Sequence, residues 1–258
     1  PAGKKQKQKG VRTQKSVVRH VLRGFDAATV ACGPSRSGKS FTLFGDVANP
    51  GLAFKFARVL FSEIDSVMAS QSVVEPVSVR LVAWSVHGPA IKPMATDLLA
   101  GSTVKPCPFV VKRADASGRV FCPGLTAVHC SGIIGVEAEM KMALSRLADT
   151  VGSRMSVLQI CVESTDRTDP QNCVARSAVA QFVELHECCA KGGLLSEAAM
   201  LSLDEEDMFL SPAHAQQKQN TLSSLVFLSD LVRNSQVHIM GHINPGVQHG
   251  QRVSETLG

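Results

Sequence analysis

The stretch that most constrains this chain is Gly33-Pro34-Ser35-Arg36-Ser37-Gly38-Lys39-Ser40, which meets the pattern G-x-x-x-x-G-K-[ST] at every fixed position. A loop of this kind needs a strand to feed it and a helix to leave it. The run Ala28-Thr29-Val30-Ala31-Cys32 reads as a buried strand, and Ser40-Phe41-Thr42-Leu43-Phe44 can start a helix. In that geometry the loop's backbone N–H groups, with the N-terminus of the following helix, cradle phosphates. The Lys39 ammonium then reaches the β and γ phosphates, and the Ser40 hydroxyl ligates Mg²⁺. The alternative, a chance Gly/Ser-rich turn, leaves the strand before it unexplained.

The rest of the chain offers enough apolar material to carry such a site. Its 258 residues are 44% hydrophobic and 19% charged, sufficient for one sizeable core. The expected division is a basic arm over 1–13 and one domain over 14–258. No apolar run reaches the roughly 18 residues of a membrane span, and residues 1–23 lack the apolar segment of a secretory signal. The expectation is a soluble intracellular chain with no membrane partner. Eight cysteines show no C-x-x-C pair and sit mostly in apolar runs such as Ile160-Cys161-Val162. They read as buried free thiols rather than disulfides or zinc ligands, and Cys188-Cys189 lacks a second pair at matching spacing. The net charge of +5 is local: residues 1–23 hold eight Lys and Arg and no acid, leaving the remainder at about −3. Such an arm suits an acidic polymer, although a solubilising tail or a linker fits as well. Residues 1–23 have no interleaved aromatics beyond a lone histidine, which argues against single-stranded nucleic acid.

Taken in order, Val17 to Leu22 has helical spacing and Gly24 would stop that helix before the loop's strand. Gly51 to Ser70 reads as a well-buried helix, with Phe44, Phe54, Phe56 and Phe61 as core. Val77 to Val86 reads as a strand with Trp84 in the core. Phe109 to Lys112 and Arg119 to Phe121 flank a hairpin turn, Val136 to Leu147 is helical, and Ser156 to Val162 and Ala178 to Leu185 are strands. Gly193 to Leu210 and Thr221 to Val232 are helical in pattern, and Val237 to Ile243 is a last strand. This alternation, with the P-loop, predicts an α/β P-loop NTPase fold: a mostly parallel central sheet with helices on both faces. The histidines His129, His186, His238 and His242 lie in or beside apolar runs and read as hydrogen-bonded or surface groups.

The flanks of the loop resemble the kinesin motor domain family. Gly24-Phe25-Asp26-Ala27-Ala28-Thr29-Val30-Ala31-Cys32-Gly33, continuing through Gly38-Lys39-Ser40-Phe41-Thr42-Leu43-Phe44-Gly45, is similar to that family's G-[YF]-N-x-T-[VI]-x-A-Y-G-Q-T-x-S-G-K-T-x-T-M-x-G. Thr96-Asp97-Leu98-Leu99 resembles its D-L-L element, with Asp97 a structural position. Gly124-Leu125-Thr126-Ala127-Val128 resembles G-L-T-E-V. The run Leu231 to Pro245, with Glu255-Thr256-Leu257, resembles S-L-G-G-N-S-K-T-x-M-I-x-x-I-S-P and E-T-L. The resemblance implies an ATP- or ADP-binding domain with Mg²⁺ on an eight-stranded sheet, and a microtubule (tubulin) partner, met directly or through other proteins. It also implies a cytoplasmic, cytoskeletal location such as a spindle, kinetochore or axoneme.

Both loops that sense the γ-phosphate in that family depart from its pattern. Switch I, N-x-x-S-S-R-S-H, is matched by Ser153 and Arg154 with Gly152 in place of the first Ser. Switch II, D-L-A-G-S-E, is matched by Glu184-Leu185-His186-Glu187-Cys188-Cys189. Glu184 then replaces the Asp behind the Mg²⁺ water shell, and Glu187 stands where the Gly meets the γ-phosphate. Glu187 is the residue left to pair with Arg154. The family's first strand, with its adenine-contacting R-x-R-P, is not contained in these residues. Leu203-Asp204-Glu205-Glu206-Asp207 is acidic where the family is basic. Three readings stay open: a structural or adaptor pseudo-motor with impaired hydrolysis, an active motor ATPase, and an unrelated P-loop ATPase.

Overall fold

The computed structural model describes residues 14–46, 48–70, 77–88, 93–101, 106–113, 119–150, 152–166, 174–186 and 227–242. The expected arm, Glu187, the Cys188-Cys189 pair, the acidic stretch and the helix over Gly193 to Leu210 lie outside them. Helix α1 covers residues 14–22, and Gly24 at φ 92° ends it as its sequence position requires. Strand β1 (Asp26–Cys32), the loop and helix α2 (Lys39–Leu43) follow. Helix α3 (Leu52–Ser70) buries Ala53, Ala57, Leu60 and Ile64 on one stripe with Phe54, Phe56 and Phe61 beside it. Then come β2 (Val77–His87), β3 (Met94–Asp97), β4 (Cys107–Pro108), the ribbon β5 (Lys112–Arg113) and β6 (Val120–Phe121), β7 (Val128–His129) and α4 (Ile133–Ala148). Strands β8 (Ser153–Asp166) and β9 (Val174–Leu185) precede α5 (residues 227–234) and β10 (Ser235–Gly241).

Eight strands make one sheet in the order β10-β1-β9-β8-β2-β3-β4, with β7 on β2. The α/β class stands, but the expectation of a mostly parallel sheet does not. Only β10, β1 and β9 run parallel; β9 to β8, β8 to β2 and β2 to β3 are antiparallel. The physical reason is connection length. Only residues 167–173 join β8 to β9, too few for the crossover of a dozen or more that a parallel pair needs.

Strand alternation divides the core into two layers. Ala27 and Ala31 of β1, Val79 and Leu81 of β2, Ile160 of β8 and Phe182 of β9 face α1, α3 and α4. Ala28, Val30, Trp84, Val157 and Val183 face the opposite layer, where Phe227 and Leu231 of α5 cover them. Trp84 meets Phe227 edge-on, with ring centroids 5.7 Å apart. Each fully buried side chain of this size contributes about 1.5–3 kcal/mol relative to exposure. Phe44, Phe54, Phe56, Phe61 and Trp84 are core, as their positions predict.

Polar anchors fix the ends of the strands. Asp97 accepts from the Leu99 amide at 2.9 Å and the Thr126 amide at 2.6 Å, a structural role. At the start of β1, Asp26 accepts from the Val179 amide at 2.8 Å and pairs with Arg119 at 2.9 Å. Burial pushes the Asp26 carboxyl above its ordinary range, opposed by the Val179 amide and the Arg119 guanidinium. Five described cysteines are free thiols; burial pushes Cys161 up to about 11 and Cys122 up to about 12, while Cys107 is exposed. No described helix is long and apolar enough to cross a membrane.

Candidate functional site

The site lies at the C-terminal end of β1, between its parallel neighbours β10 and β9, where a ligand crevice is expected outside the carboxyl ends of parallel strands. The chain leaves Cys32 through Gly33 at φ 140°, turns at Arg36 (φ 61°) and Gly38 (φ 88°), and enters α2 at Lys39. A Cβ at Gly33 would overlap the carbonyl of His242, so the loop tolerates no side chain there. His242 docks from the end of β10: its amide donates to the Cys32 carbonyl at 2.8 Å and its Nδ1 donates to the Ser37 carbonyl at 3.3 Å. Helix α2 has only five residues, so its dipole is small and the turned loop backbone would be the main source of donors to a phosphate.

Lys39 is 4% exposed and folds back over the loop. Its Nζ donates to the carbonyls of Gly33 at 3.0 Å and Pro34 at 2.6 Å. An ammonium has three donors, which leaves one for a phosphate oxygen without disturbing either contact. Ser37 Oγ is buried with no partner among the described residues, as a loop hydroxyl awaiting an acceptor would be.

Glu184 reaches the loop by register. Residue 184 pairs with Ala31 across the parallel β1–β9 ladder and with Ser156 across the antiparallel β8–β9 ladder. Its Oε1 accepts from Ser40 Oγ at 2.8 Å. The carboxylate is 2% exposed, and its Oε2 has no partner among the described residues. A buried acceptor left open is costly unless something positive or hydrogen-bonding meets it. The donor set therefore fits Mg²⁺ with a nucleotide phosphate: an oxygen-only pair, Ser40 and Glu184, beside a loop cation and turned backbone amides.

Three of the four residues expected to carry the chemistry converge here. Ser153 and Arg154 begin β8, next to Glu184 at the end of β9. Ser153 Oγ lies 3.2 Å from Ser156 Oγ, and the Arg154 carbonyl accepts from the His186 amide at 2.9 Å. Glu187 lies outside the described residues. Ser156 and His186 join the site without having been marked for it. Ser156 Oγ is 3.0 Å from His186 Nε2, and His186 Nδ1 is 3.6 Å from Glu184 Oε1. The available signal was spacing: residues 184 and 186 share a face of a strand of period two.

Known proteins share this chain's sequence pattern and fold. The model of the kinesin motor domain family matches residues 2–188. Kinesin-like protein 5 of Schizosaccharomyces pombe is 28% identical over 117 residues, 45% of this chain and 12% of its own length. Kinesin-like protein KIN-14E of Arabidopsis thaliana is 26% identical over 163 residues, 59% of this chain and 12% of its own. The chain thus spans about an eighth of either relative. Among solved structures, a KIF14 dimer in the two-heads-bound state with AMP-PNP, in complex with a microtubule, superposes with a TM-score of 0.64 at 15% identity. That match covers 93% of this chain and 71% of the other, and it shows a shared fold. With the family model matching residues 2–188, most of its length, this chain belongs to the kinesin motor domain family.

Proposed function

We propose that the chain binds Mg·ATP or Mg·ADP through Gly33 to Ser40 and serves a microtubule-based assembly of the cytoplasmic cytoskeleton as a structural or adaptor pseudo-motor with impaired hydrolysis. The observation that carries nucleotide binding is the Ser40–Glu184 contact of 2.8 Å beside a buried, loop-folded Lys39. Ser40 and Glu184 would hold the cation, directly and through its water shell, while Lys39 and the turned loop hold the phosphates. The bound Mg²⁺ would supply charge neutralisation on the β and γ phosphate oxygens.

The impairment follows from what phosphoryl transfer requires. Catalysis there is almost entirely positioning and electrostatic stabilisation, so the sensing loops matter more than the cradle. By the resemblance, Gly152 and Cys189 stand in the sequence where the family has a hydroxyl and a carboxylate, and Glu187 stands where it has the Gly whose amide meets phosphate, so a negative charge there would oppose the phosphate. The microtubule assignment draws on family membership and on the complex in which KIF14 was solved. The acidic stretch Asp204 to Asp207 would oppose an acidic lattice, so the bridge is the basic arm, another surface or a partner protein.

An active motor is the second reading, favoured by the meeting of Ser153, Arg154 and Glu184 at one end of the sheet. Co-pelleting with microtubules in ADP and in a non-hydrolysable ATP analogue, with turnover measured alongside, separates the two. The pseudo-motor reading expects equal binding in both states and no microtubule stimulation. State-dependent binding with stimulated turnover would replace it with the motor. Absence of binding in both states would remove direct lattice contact.

A further inference from the structure

We propose that His186 is a positioning residue that holds the Glu184 carboxylate against Ser40 and ties it to the start of β8. The inference rests on the nucleotide-binding reading and names the residue that shapes its cation-binding half. In the family pattern this position is an Ala, which has nothing to offer a carboxylate.

The geometry confines His186 at three points. Its amide is fixed on the Arg154 carbonyl at 2.9 Å. Its Nε2 meets the Ser156 hydroxyl at 3.0 Å, and Ser156 is 1% exposed, so the ring is anchored on a group that has no room to move. Its Nδ1 then faces Glu184 Oε1 at 3.6 Å, ion-pair range rather than a direct hydrogen bond. That oxygen is also the acceptor of Ser40 Oγ. The carboxylate is thereby pinned through one oxygen, and the other, Oε2, stays buried and unpartnered.

The contacts form one continuous path. It runs from Ser40 through Glu184, His186 and Ser156 to Ser153, linking the phosphate loop to the start of β8. A ring carrying its proton on Nδ1 presents it to the carboxylate and accepts from Ser156 through Nε2, and a ring protonated on both nitrogens donates to each. In both of these forms the carboxylate is met by an N–H, whereas a proton on Nε2 alone would turn a lone pair toward it, so the carboxylate favours the first two. A glutamate has one more rotatable bond than the aspartate of the family pattern, so it needs such a clamp to present its carboxylate in one place. Partners of this outer kind orient cation-holding groups, and their loss typically weakens the metal about tenfold or more.

The test is the ratio of the dissociation constant of fluorescently labelled ADP in EDTA to that in Mg²⁺, measured on the purified chain and its variants. Wild type is expected to bind ADP more tightly with Mg²⁺. His186→Ala is expected to cut that ratio about tenfold while leaving the EDTA value within about twofold. His186→Asn, whose amide nitrogen can take the Nδ1 place, is expected to recover most of the ratio, and His186→Gln, which reaches the Nε2 place instead, much less. An unchanged ratio in His186→Ala overturns the proposal, as does equal weakening with and without Mg²⁺, which would mark a general packing role. Equal recovery by Asn and Gln would also overturn it. Failure of wild type to bind ADP would instead remove the nucleotide reading beneath it.

Discussion

The two ends of β1 each bury a carboxylate, and they treat it in opposite ways. At the entry, Asp26 is met on both oxygens, by the Val179 amide and the Arg119 guanidinium. Around it Arg119 also reaches Ser177, and Asp230 accepts from the Val120 amide at 3.0 Å, so the ribbon, β9 and α5 are stitched to one point. At the exit, Glu184 is deeper, yet one oxygen has only Ser40 and His186 near it and the other is unpartnered among the described residues. Burial alone does not distinguish a structural acid from a binding one. The state of its lone pairs does: a satisfied carboxylate holds the fold, and an open one is kept for something that arrives.

That contrast can be broken by substitution. Lys39→Ala should weaken Mg·ADP about 100-fold by removing a charged phosphate contact, with the melting temperature near that of wild type; unchanged affinity in a titration would remove Lys39 from the site. Asp26→Ala should do the reverse. It leaves Arg119 and a buried amide without their partner, costing about 2 kcal/mol in urea unfolding, with ADP affinity unaltered in the folded protein. Glu184→Gln keeps an acceptor for Ser40 but loses the charge, so Mg²⁺-dependent tightening of ADP should fall about tenfold while stability moves by no more than about 0.5 kcal/mol. A large loss of stability there would make both ends structural.

Acidity sharpens the comparison further. Because the folded Asp26 carboxyl titrates above its ordinary value of 3.8, the native state binds the extra proton in that window. Asp26 therefore adds a term that makes stability fall as pH rises from 3.8 through the raised value. Asp26→Asn should flatten that slope in pH-dependent unfolding, whereas Glu184→Gln should leave the Asp26 part of it in place. The smallest effect belongs to the surface cluster of two cations on α1 and one acid on α3. Arg19 and Lys15 hold the Glu63 carboxyl below its ordinary range, and Glu63→Gln should cost less than about 0.5 kcal/mol and less still in high salt.

Much of this molecule is legible in its sequence because its signals are local. The P-loop, the glycine that ends α1, the apolar stripe of α3 and the core phenylalanines follow from spacing alone. Strand direction does not, since Val157 and Val183 alternate in the same way whether β8 and β9 run together or opposed. The strands also exceed their apolar runs: β8 continues through Glu163, Ser164 and Thr165, and β9 begins before Ser177, where polar side chains pair across the ladder beyond the helices. Of the site, Lys39 and Ser40 are readable in place, and Ser153, Arg154 and Glu184 only through the family's pattern. Ser156 and His186 enter by cross-strand register, which joins residues 30 apart that no local window connects.

The docking of His242 on the loop has a bearing on how the protein comes into being. Gly33 and Ser37 are synthesised before β9 and β10, and the histidine that seals their turn follows 205 residues after Ser37. A ribosome elongating at roughly 5–20 residues per second needs about 10–40 seconds to cover that gap. Through that interval the emerging loop has its sequence but lacks the neighbour that fixes its shape. The shape of the loop is thus completed only once β10 has been made, after every other strand of the sheet.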